Sequence, residues 1–86
     1  MGQHREAIKM AIKDEFLGRF RSMKAKAGDV LPVGWLYDDF MANLNDKEQK
    51  ALEEIINEMI REGLIEYVGG PRPTYAVTQK GLDILC

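Results

Sequence analysis

Side-chain chemistry of the catalytic kind needs histidine, cysteine, paired carboxylates or a phosphate-cradling loop, and this 86-residue chain offers little of it. His4 is the sole histidine and Cys86 the sole cysteine, at opposite ends of the sequence. No His, Cys or carboxylate cluster has metal-ligand spacing. Neither Ser22 nor any threonine has a histidine nearby to act as its base, apart from the terminal one. Asp38 and Asp39 are adjacent, so on a helix their side chains diverge by about 100° and do not form an acid–base pair. Gly69-Gly70 opens no helix after a strand, so it is not a phosphate loop. The expectation is a non-enzyme with no metal, cofactor or small-molecule substrate.

What remains is recognition by surfaces. The net charge is −2, unevenly spread. Residues 1–27 carry seven Lys/Arg against three acids, residues 28–66 three against ten, and residues 67–86 two against one. The cations available to phosphate are Arg19, Arg21, Lys24 and Lys26 in one run, Lys47, Lys50 and Arg61 in another, and Arg72 alone, with Asn57 able to read a base edge. The features suited to a protein partner are the apolar Met10, Leu17 and Trp35 and the acidic Glu53, Glu54 and Glu58.

The elements that position these residues follow from periodicity. Leu52, Ile55, Ile56, Met59 and Ile60 form an apolar stripe at helical spacing. Asn45 and Glu48 have capping-box spacing at its start, and Gly63 suits the left-handed residue that ends it. The spacing predicts a helix over 46–62, with Lys47, Lys50, Glu54, Asn57 and Arg61 opposite the stripe and Glu53 and Glu58 flanking. Two short runs, 64–68 and 74–78, flank Gly69-Gly70-Pro71-Arg72-Pro73 and predict a hairpin. Thr78 caps a last helix over 79–85.

Upstream, a first helix is predicted over about 3–23, its stripe made of Ile8, Ala11, Ile12, Phe16, Phe20 and Met23. Met10 and Leu17 fall on nearly the opposite face, seven residues apart, as two exposed apolar residues or a homodimer seam. A second helix follows over about 34–43, with Leu36, Tyr37, Phe40 and Leu44 on one face and Trp35 about a quarter turn away, half-buried or an exposed anchor. Val30–Val33 is either a short edge strand or the extended lead into that helix, since Pro32 permits only an edge role.

The run Gly63-Leu64-Ile65, followed by Tyr75-Ala76-Val77-Thr78-Gln79-Lys80-Gly81, resembles the "GLI … Y-x-V/L-T-x-x-G" wing of MarR- and PadR-like winged-helix proteins. The resemblance covers roughly residues 30–86. It implies an α+β, mainly helical winged helix: a three-helix core, a β-hairpin wing and a short C-terminal helix in a single domain over 1–86. In DNA-binding members the helix before the wing reads DNA and a wing-tip arginine touches it; by position these are 46–62 and Arg72. The sequence departs from those members in having one wing arginine without an Asp-Arg pair. Its third helix also lacks a Ser/Thr/Arg-rich outer face.

Carboxylates flanking that helix would meet the phosphates lining a groove. The leading expectation is therefore a regulatory or adaptor module that binds a protein, or itself through the first helix. DNA binding through the third helix and the wing is the alternative. No apolar run approaches the ~18 residues that span a bilayer. A cytoplasmic protein with no membrane partner is expected.

Overall fold

The structure, a computed structural model, describes residues 2–85, with side chains from Glu6 onward; the His4 and Cys86 side chains lie outside the described part. The chain runs as helix α1 (Gly2–Ser22), a wide helix (Gly34–Phe40) continued by a tight turn (Met41–Asn43), helix α2 (Asp46–Arg61), strands β1 (Ile65–Val68) and β2 (Thr74–Val77), and helix α3 (Gln79–Leu85). It is mainly helical, with one antiparallel hairpin and a C-terminal helix.

Both ends of α2 are closed by local hydrogen bonds. Asn45 Oδ1 accepts from the Glu48 N–H at 2.8 Å, and Glu48 Oε1 accepts from the Asn45 N–H at 2.9 Å. Two of the four donors left unpaired at a helix start are thereby satisfied. At the other end Gly63 takes φ +77°, its N–H bonds the Ile60 carbonyl, and the Leu64 N–H bonds the Met59 carbonyl. That pairing turns the chain sharply from helix into strand. Ala51, Leu52, Ile55, Ile56 and Met59 are buried. Ile60, expected in the stripe, is 38% exposed: one residue past Met59, it turns beyond the edge of the buried face, and Ala51 fills the opposite margin.

Helix α1 buries Ile12, Phe16 and Phe20 against this stripe. Phe16 is the aromatic centre, edge-on or tilted to Phe20, Phe40 and Tyr75 with centroids 6.0–6.2 Å away. Two residues depart from expectation. Ala11 is exposed, and Leu17 is only 6% exposed. The reason for Leu17 is α3: Arg21, one turn further along the same face, donates to the Leu85 carbonyl at 2.8 Å, so α3 lies over this side of α1.

The helix over 34–43 has the expected extent but not the expected winding. Between Gly34 and Phe40 it is wound as a π-helix, and the Met41 N–H reaches back five residues to the Leu36 carbonyl. Leu36 and Phe40 are buried; Tyr37 and Leu44 are half-buried.

The hairpin pairs Ile65 with Val77 and Tyr67 with Tyr75. The far edge of β2 is also occupied. Gly28 N–H donates to the Val77 carbonyl, Val77 N–H to the Asp29 carbonyl, and Leu31 N–H to the Tyr75 carbonyl. Val30 bridges Ala76, so the extended segment before Pro32 runs beside the hairpin.

The hairpin, α2 and α3 meet at Leu64. Its carbonyl accepts from the Thr78 N–H at 3.1 Å and lies 3.0 Å from Thr78 Oγ1, which also reaches the Gly63 carbonyl. The same hydroxyl accepts from the Gly81 N–H at 3.1 Å and so caps α3. A Cβ on Gly81 would overlap the Leu64 carbonyl oxygen. Gly81→Ala is therefore expected to cost about 2–3 kcal/mol, as forced overpacking does, and to lower Tm by roughly 10 °C or more. A thermal melt displaced by less than about 2 °C would show that α3 yields freely.

Helix α1 ends with the same hydrogen-bond pattern as α2, but on a lysine. Lys24 sits at φ +54°, with Lys24 N–H on the Arg21 carbonyl and Ala25 N–H on the Phe20 carbonyl. A side chain is disfavoured in that conformation. Lys24→Gly is expected to stabilise by about 0.5–1 kcal/mol and raise Tm by a few degrees; a lower Tm in the same melt contradicts this.

Candidate functional site

The outer row of α2 lies where its helical phase puts it. Lys47, Lys50, Asn57 and Arg61 are exposed, opposite the buried stripe. The two flanks of this row differ. On one flank Glu54 and Glu58 turn toward α1, where Lys9 Nζ lies 2.6 Å from Glu58 Oε2 and 3.8 Å from Glu54 Oε2. The hydrogen bond from Lys9 holds the Glu58 carboxyl below its ordinary range, with burial opposing and the charges of Lys9, Arg61 and Lys13 assisting. The same hydrogen bond raises Lys9, burial again opposing. Two of the three acids expected to face a basic partner thus face α1. Lys9 carried no signal in the sequence, because its role depends on which helix packs against α2.

On the other flank, an open groove runs between α2 and the hairpin. Met41, Glu53, Ile56, Asn57 and Tyr75 line it. Glu53 is exposed on its rim. Tyr67, 59% exposed, stands edge-on to Tyr75 with centroids 6.0 Å apart. Burial, then the neighbouring Tyr37, Tyr67 and Glu53, push the Tyr75 phenol up, so it stays neutral and able to donate. The sequence marks Tyr67 only as a strand residue; its place directly opposite Tyr75 follows from the hairpin register.

The hairpin tip is tied down. Arg72 Nη2 lies 3.2 Å from Asp38 Oδ1, and its guanidinium sits 4.5 Å from the centre of the Tyr37 ring. Tyr37 Oη donates to the Pro73 carbonyl. Arg72, expected as a projecting wing-tip cation, is instead held on the wide helix. Asp38, itself 70% exposed, is its partner.

Within the basic run 19–26, Arg19 turns away from Arg21, while Arg21, Lys24 and Lys26 are exposed. Arg19 lies over the Trp35 ring at 5.2 Å, while Arg21 bonds the Leu85 carbonyl on another side of α1. The Lys26 backbone N–H is held by Asp29 Oδ2, and Lys24 occupies the helix stop. Trp35 itself is half-buried, stacked on Phe40 at 5.0 Å and 12°, so it is not an exposed anchor. Met10 is 64% exposed, but with Leu17 buried the two do not make a seam for a second copy. Among the described residues, no group of three His, Cys, Asp or Glu side chains is placed to hold a metal, and no helix is long and apolar enough to cross a membrane.

The Lys9–Glu58 pair has a defined pH signature. Glu58 is depressed below its ordinary 4.5, so its contribution is present above that value and is lost as pH falls through the lower folded value. Lys9 is raised above 10.5, so its contribution is present below that value and is lost as pH rises through the higher folded value. The urea-unfolding difference between the natural chain and Lys9→Gln is expected to be flat between about pH 5 and 10 and to shrink on both sides. A difference that grows on acidification contradicts the pairing.

No protein-family model, no curated protein and no solved structure matches this chain.

Proposed function

We propose that the chain is a non-catalytic winged-helix module that works by docking on another protein. The order of helix, extended segment, helix, helix, hairpin and helix supports the winged-helix reading. The extended segment pairs with the second hairpin strand, beside the helical core. The observation that carries the protein-docking reading is Arg72. A DNA-binding wing presents its cation to phosphate, and here that cation faces Asp38 and Tyr37 instead, an exposed pairing that disfavours phosphate contact by a modest free energy.

The docking surface in this reading is the groove between α2 and the hairpin. Its apolar floor is Met41, Ile56 and Tyr75, and its polar rim carries Asp46, Gln49, Lys50, Glu53 and Asn57, so it shares Lys50 and Asn57 with the outer row of α2. An apolar centre with a polar rim is the usual anatomy of a protein interface, and tyrosine is enriched in such places.

One observation favours the second reading, a DNA-binding regulator. With Glu54 and Glu58 turned to Lys9, the outer row of Lys47, Lys50, Asn57 and Arg61 is less screened by acids than the sequence implies. A fluorescence-anisotropy titration against a mixed-sequence duplex separates the two. Protein docking expects no saturable binding at roughly tens of micromolar protein, even at low salt. Saturable binding that falls steeply with salt would overturn that reading in favour of the second.

A further inference from the structure

The strongest feature outside the α2 groove is the contact between the hairpin tip and the wide helix. Three interactions converge on a five-residue loop: the Asp38–Arg72 ion pair, the Arg72 guanidinium on the Tyr37 ring, and the Tyr37 hydroxyl on the Pro73 carbonyl. They come from two adjacent residues of one helix and act on two residues of one loop. The contact is on the surface. The Arg72 and Asp38 side chains are 46% and 70% exposed, and the pair is open to solvent and salt.

We propose that this contact is a latch that withholds Arg72 from phosphodiester backbone, so that nucleic-acid contact through the hairpin is conditional on its opening. The Asp38 carboxylate occupies the guanidinium as a phosphate oxygen would: both are anionic acceptors for the same N–H donors. A nucleic-acid backbone therefore competes directly with Asp38. Such an exposed pair is weak enough for a polyanion to displace. Once displaced, Arg72 is free to meet phosphate. Closed, the tip's cation faces Asp38 and the Tyr37 ring; open, it is offered to the backbone. The inference rests on the protein-docking reading only in taking the closed state as weak for DNA.

The test compares the natural chain with Tyr37→Phe/Asp38→Asn, which keeps the ring and removes the hydroxyl and the charge. ¹⁵N relaxation reads the Gly69, Gly70 and Arg72 amides, and duplex titration at low salt reads affinity. In the natural chain the loop order parameters are expected near those of the strands, about 0.85, falling below about 0.6 in the variant. Duplex affinity is expected to rise about two- to fivefold, with a salt slope steeper by about one. Adding Arg72→Ala is expected to abolish that gain. Unchanged loop order in the variant overturns the latch. A mobile loop without a gain in affinity overturns the withholding of Arg72. Tight duplex binding by the natural chain would overturn the protein-docking reading, while the loop order parameters still decide the latch.

Discussion

The carbonyl oxygen of Leu64 is the constraint on which the rest of this structure depends. It sits where the left-handed turn at Gly63 ends α2 and the hairpin begins. It accepts from the Thr78 backbone as the last rung of the hairpin, and the Thr78 hydroxyl, whose one proton lies between the Gly63 carbonyl at 2.6 Å and this one at 3.0 Å, caps α3. Gly81 brings α3 so close that no Cβ fits between them. Three elements thereby share one oxygen and two glycines. These contacts set the angle between α2 and the hairpin, and with it the groove between them.

The placement of charge follows from that frame. Residues 28–66 are strongly acidic as a stretch of sequence, with ten acids against three cations. In three dimensions, part of that excess is answered by cations from elsewhere in the chain. Lys9 of α1 holds Glu58 and lies near Glu54, and Arg72 of the hairpin loop holds Asp38. Exposed pairs of this kind contribute little to stability. Their consequence is directional: each decides which way a charged side chain faces, and so what a partner meets. At the end of α1, Arg19 lies over Trp35 and Arg21 donates to the Leu85 carbonyl on another side of the helix.

The readings that succeeded from sequence were local. The Asn45–Glu48 box, the Gly63 stop and the proline-containing loop each depend on residues a few positions apart, whose conformations are set by their own chemistry. The Thr-x-x-Gly spacing was legible only as a resemblance; its physical cause, the crowding of Gly81 on Leu64, needed the packed structure. What was not legible spans long separations. Lys9 and Glu58 are 49 residues apart, and Asp38 and Arg72 are 34 apart. The burial of Leu17 depends on where α3 docks, which α1's own periodicity does not contain. The π winding of residues 34–40 was invisible for another reason: Leu36 and Phe40, four apart, fit an ordinary helix equally well.

If α2, the hairpin and α3 are one cooperative unit joined at Leu64, their backbone amides must open together. Native-state hydrogen exchange at the Leu64, Val77 and Thr78 amides measures this directly. The expected result is exchange as slow as that of the buried centre of α2, within about tenfold. Exchange at those three amides faster by about a hundredfold or more would show that the hairpin opens alone, and would contradict a groove of fixed shape.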